Sequence, residues 1–149
     1  MEGLLEMLAL AYLNGDAVQP TKDEINGLHS FIVNQYDQLP VLCRFVPEEV
    51  TPEAMIHHHK TTGELIISTL YTDHPYLNAD QNCMLRAVHD WHHLSQGFGF
   101  DFIGELSAAT YIVSLAPKYI QWMLFSEVAL QAAASIYTGE FQPQKMVKI

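Results

Sequence analysis

Basic residues are scarce in this chain. Seven Lys and Arg stand against seventeen Asp and Glu, for a formal charge of −10 at neutral pH. Non-specific binding to nucleic acid or to an anionic membrane surface needs a basic footprint, so neither is expected as a partner. Cysteine is nearly absent too: Cys43 and Cys83 are the only two, too few for a disulfide framework, and a reducing compartment follows. No apolar run approaches the roughly 20 residues of a membrane span. The apolar stretch from Met7 to Leu13 has the look of a signal peptide core, but Glu2 and Glu6 stand where a signal carries Lys or Arg, and Asn14-Gly15 ends the run. Glycine loops of the phosphate-cradling type are missing. Ser95, Ser107 and Ser126 lack the Gly-x-Ser-x-Gly context of a nucleophile elbow, and neither cysteine has an activating neighbourhood in sequence. The expectation is a soluble intracellular protein without nucleotide-binding or serine-hydrolase machinery.

What the chain does have is apolar material: 49% of its 149 residues, enough for the core of one domain spanning 1–149. Met1 to Leu13 predicts a helix stopped by Asn14-Gly15, apolar over most of its circumference and therefore buried or at a subunit contact in a homo-oligomer. Thr21 and Glu24 form a capping-box pattern that opens a second helix, limited by Pro40, with Ile25, Leu28, Ile32 and Leu39 at helical spacing. Val41–Val46 and Glu64–Leu70 read as two short strands, with a helix as the alternative for the second, so brief is its apolar run. Between them, Thr51-Pro52 opens a helix that carries His57, His58 and His59 and breaks at Gly63. Three consecutive histidines cannot share a helix face, so at most two of them join any site. His29 reads as a partly exposed helical residue, and His74 lies in a loop before Pro75, where it either reaches the site or stays at the surface. Asn78 and Gln81 form a second capping-box pattern, launching a helix that Gly97 and Gly99 end. Phe98, Phe100 and Phe102 anchor the following loop in the core or wall a pocket, and Glu105 starts the next helix, where a carboxylate favours the dipole. After Ser114–Pro117 a long apolar helix runs from about Pro117 to Tyr137, with Gly139 as its stop. The fold class expected is mainly α, a compact helical domain with one short β pair.

The stretch LRAVHDWHHLSQGFGFDFIGE, Leu85 to Glu105, concentrates the chemistry. His89 and His93 are one helical turn apart, and two imidazoles at i and i+4 can hold one divalent metal. Glu127 lies inside the long apolar helix, where a carboxylate is costly unless paired or bound to a metal, with Gln131 one α-helical turn further on. Histidines with carboxylates and no cysteine pattern suit Zn, Fe or Mn. The expected metal ligands are His89, His93, Glu105 and Glu127, brought from three helices as in carboxylate-bridged bundles, although the Glu-x-x-His motifs of those bundles are missing. Asp90 and His92 are the expected catalytic residues, orienting a ligand or serving as general base beside a metal-activated water.

Two resemblances follow. His57–His59 with His89-Asp90 resembles the HD-domain phosphohydrolases, but no aspartate follows Asp101 to supply the last ligand of that family. The closer resemblance is to small uncharacterised proteins of tailed phages and marine viral genomes. It is carried by ISTLYTDHP (Ile67–Pro75), by LRAVHDWHH with GFGFDFIGE (Leu85–Glu105), and by LFSEVALQ with YTGEFQPQK (Leu124–Lys145). It implies a viral origin and action in the cytoplasm of an infected host cell, and brings no reaction with it. Two functions are therefore expected as alternatives. One is a viral protein with a His/carboxylate metal site, working as a metal-dependent hydrolase on an unknown substrate. The other is a non-catalytic viral accessory or structural protein that binds another protein, its polar cluster specifying the fold.

Overall fold

The structure, a computed structural model, describes residues 2–149. Met1, included in the first predicted helix, lies outside them. The order is α1 (Glu2–Asn14), α2 (Lys22–Asp37), β1 (Cys43–Val46), α3 (Pro52–Thr62), β2 (Leu65–Ser68), α4 (Ala79–Gln96) and α5 (Phe102–Leu115). A 3₁₀ turn (Lys118–Ile120) then leads into α6 (Gln121–Leu124), a π-helical segment (Phe125–Leu130) and α7 (Gln131–Thr138). The fold is mainly α with one short β pair, as the periodicity predicts. No helix of the described residues is long and apolar enough to cross a membrane. The chain forms two compact units, His29–Gly97 and the remainder on either side of it, the boundary falling within α2.

In the His29–Gly97 unit, local signals set each element. Thr51 accepts from the Ala54 amide and Pro52 follows at the first helical position; Gly63, left-handed at φ 77°, ends α3. β1 and β2 pair in parallel, Cys43 opposite Leu65 and Val46 opposite Ser68, with α3 as the crossover. The core joins Met55, Leu65, Ile67 and Ala87, with Trp91 and Leu94 of α4 packed against it. α4 opens on a full capping box: Asn78 accepts from the Gln81 amide at 2.8 Å and Gln81 accepts from the Asn78 amide at 3.0 Å. Between β2 and α4 the chain is tied to its neighbours. The Arg86 guanidinium donates to the carbonyls of Ser68, Leu70 and Tyr71. His29 Nε2 bonds the Tyr76 carbonyl, and His74 Nδ1 accepts from the Tyr76 and Leu77 amides. These two histidines thus serve as loop anchors.

In the other unit, α1 packs against α7 and the π-helical segment. Its core joins Leu8, Tyr12, Leu130, Ala133, Ala134 and Val147. The Thr21–Glu24 box is present in both directions, but α2 ends at Asp37, ahead of Pro40. α5 starts earlier than predicted. Asp101 is its cap, accepting from the Gly104 amide at 2.9 Å, so Glu105 sits in the first turn rather than at the start. Gly104 lies so close to the preceding loop that a Cβ there would fall 1.7 Å from the Gly99 carbonyl oxygen, an approach open only to glycine. Phe98 packs edge-on to Tyr111 and Phe102 joins the core, whereas Phe100 is solvent-exposed. The predicted continuous helix from Pro117 is 3₁₀, α, π and α in turn, closed by Gly139 at φ 78°. It is not buried all round, since Ile136 and Tyr137 are exposed.

Candidate metal centre

His89 and His93 stand one turn apart on α4, and the helix brings their rings together. The Nε2 atoms lie 3.2 Å apart and the rings meet edge to face, with centroids 4.6 Å apart. At that separation one ring carries its proton on Nε2 and the other presents a lone pair. The same spacing suits chelation. With metal–nitrogen bonds of 2.0–2.1 Å, two cis imidazole nitrogens of a tetrahedral site are about 3.3 Å apart. The pair therefore needs little rearrangement to hold a cation. His93 is buried and His89 half-buried.

His92, the neighbour of His93, is also buried. Burial, and after it the positive charges that His89 and His93 acquire on protonation, push its pKa down from 6.5 to about 4. At neutral pH its ring is uncharged. Asp90 lies on another side of α4. Burial first, and to a lesser degree the Asp90 charge, raise the thiol pKa of Cys43, while a hydrogen bond with Tyr36 works against this. Of the histidine run on α3, His57 is exposed and His58 bonds Glu64 Oε1 at 3.3 Å, beside the Arg44–Glu64 ion pair. His59 sets its ring edge on Trp91, centroids 5.7 Å apart, with its Nδ1 buried and without a hydrogen-bond partner.

The two expected carboxylate ligands belong to the other unit. Glu105 is half-buried in the first turn of α5. Glu127 is likewise half-buried, which lowers the cost that the apolar sequence around it implies. It lies in the π-helical segment, and that changes its neighbours. The Gln131 amide donates to the Ser126 carbonyl, an i→i+5 bond, so Gln131 stacks over Ser126 and not over Glu127 as an α-helical count would have it. The Glu127 charge reaches Tyr12: burial raises that phenol's pKa, the Lys145 amide that it accepts from opposes the rise, and Glu127 adds to it.

The structure thus brings the two imidazoles of the expected site together within one unit, and places the expected carboxylates on α5 and the π-helical segment of the other. Sequence reading missed the π register. Its one trace is the pair of polar residues, Ser126 and Gln131, five apart in an apolar stretch and both buried. Comparison with protein-family models, with curated proteins and with solved structures finds no match.

Proposed function

We propose that this is a divalent transition-metal protein whose primary ligands are His89 and His93, with Zn, Fe or Mn as the metal. The observation that carries this reading is the 3.2 Å separation of the two Nε2 atoms on one rigid helix. Glu105 is the proposed third ligand, since it and the two histidines each offer one donor atom. Glu127 is the proposed fourth, on the strength of its place in a π-helical segment, a distortion frequent at functional sites.

A divalent metal, when bound, supplies Lewis acidity and brings the pKa of a coordinated water toward neutrality. A metal-dependent hydrolase is the reaction class this donor set serves best. Asp90 is the proposed orienting or proton-accepting residue. His92, uncharged at neutral pH and held between the two ligands in sequence, is proposed to act in catalysis as a neutral hydrogen-bonding ring, since a group with a pKa near 4 is a weak base at pH 7. The resemblance to small phage and marine viral proteins supports a viral origin and a place in the cytoplasm of an infected cell.

A second reading draws on the same contact. The imidazole pair already forms one hydrogen bond, so a metal-free chain has a role for it in fixing α4, as in a viral accessory protein that binds another protein.

Elemental analysis of protein purified without a histidine tag or chelator separates the two. About one transition metal per chain, lost in His89→Ala and reduced at least tenfold in affinity in Glu127→Gln, is the expected result. Metal-free protein whose melting temperature does not move on adding Zn, Mn or Fe overturns the metal reading and leaves the accessory one.

A further inference from the structure

The π-helical segment is held from outside by an extended segment, residues 141–149. Val147 donates its amide to Ser126 Oγ at 2.9 Å, and Gln131 Nε2 donates to the Gln142 carbonyl at 3.0 Å. Ser126 and Gln131 are both buried, and they bracket Glu127. Tyr12 of α1 secures the same strap: its hydroxyl donates to the Pro143 carbonyl at 2.6 Å and accepts from the Lys145 amide at 3.2 Å. Lys145 adds a bond to the Gly15 carbonyl at 2.7 Å, and Met146 and Val147 are buried.

Helix geometry makes this arrangement selective. In an α-helix, residues five apart point about 140° away from each other. In a π turn, the i→i+5 bond stacks them on one side. Ser126 and Gln131 can therefore both face one strap in the π register and not in the α register. A π turn is otherwise rare because α bonding is the better choice for the backbone alone. An outside partner that rewards only the π form resolves the contest in its favour.

We infer that the 141–149 strap, through Ser126 and Gln131, locks the helix in its π register and so fixes the direction in which Glu127 points, making Ser126 and Gln131 positioning residues for that carboxylate. Relaxation to α bonding would turn one flank of the segment by about 100° relative to the other, and Glu127 lies within the turn that changes. The consequence for metal binding rests on the proposed ligand role of Glu127; the lock itself does not.

The test uses the full chain and two readouts. Scalar couplings across hydrogen bonds, measured by NMR, report the register directly: wild type should show a coupling between the Gln131 nitrogen and the Ser126 carbonyl carbon. Ser126→Ala and Gln131→Leu should lose it and gain one between the amide nitrogen of position 131 and the Glu127 carbonyl carbon, while Ser126→Thr, which keeps the hydroxyl, retains the original. Titration with Co²⁺ is the second readout. Affinity should fall about tenfold in Ser126→Ala, matching Glu127→Gln, and be restored in Ser126→Thr. Persistence of the coupling between positions 131 and 126 in Ser126→Ala and in Gln131→Leu overturns the lock, whatever Co²⁺ does. A moved coupling with unchanged Co²⁺ affinity upholds the lock and removes Glu127 from the ligand set. Gln131→Leu carries the register test alone if Ser126→Ala does not fold.

Discussion

The helix that carries His89 and His93 and the helical segment that carries Glu127 are organised in opposite ways. α4 is specified by residues next to it: a reciprocal cap from Asn78 and Gln81 at one end and a left-handed Gly97 at the other. Its two imidazoles meet because an unbroken α-helix puts i and i+4 on one face. The Glu127 segment is specified from a distance. Its register depends on Val147 and Gln142, whose strap is tied to Tyr12, more than a hundred residues earlier in the chain. The contrast teaches that an imidazole pair on a regular helix is brought together by local rules, whereas a carboxylate on a π turn inherits its direction from tertiary packing.

Mutations at the two supports should differ in size accordingly. The largest effect is expected at Tyr12, which is buried, packs in the core and bonds the strap twice. Tyr12→Ala should cost about 4 kcal/mol, the range for deleting a buried aromatic, as read from chemical denaturation. A loss below about 1 kcal/mol would mean that the strap is not held there.

The next effect is one of pH and belongs to α4. In metal-free protein His92 has its pKa lowered from 6.5 to about 4, so between these values the unfolded chain binds the extra proton. The contribution of neutral, buried His92 is complete above pH 6.5 and is lost progressively as pH falls toward 4. It amounts to a change on the order of 3 kcal/mol. Denaturation midpoints of wild type and His92→Gln across that window should converge toward the acid end; parallel curves would show that His92 titrates normally.

The smallest effect is expected at the local cap. Asn78→Ala should cost about 1 kcal/mol and leave the His89–His93 contact in place. Collapse of the unit on losing this one cap would break the comparison, because α4 would then depend on its end for more than fraying.

How much of this was legible follows the same divide. Thr21/Glu24, Thr51-Pro52, Gly63, Asn78/Gln81 and Gly97 announce helix ends by chemistry acting within a few residues, and the structure places caps at each. The imidazole pair was legible for the same reason, since its spacing is a helix turn. Asp101 caps α5 from within the predicted loop, a signal masked in the sequence by Glu105, a competing start signal four residues on. The π segment was not legible: apolar periodicity over Met123–Ala134 fits a helix of either register, and only the distant partners of Ser126 and Gln131 decide between them. The need for glycine at 104 was not legible either, because it is steric and set by the approach of the Gly99 backbone.

The measurement that tests the central claim most directly is X-ray absorption at the zinc edge of the zinc-loaded full chain, with His89→Ala and His93→Ala beside it. The account requires imidazole scattering from two nitrogens at about 2.0–2.1 Å in wild type, falling to one in each variant or vanishing with the metal. A spectrum without imidazole, or one unchanged in both variants, would contradict it.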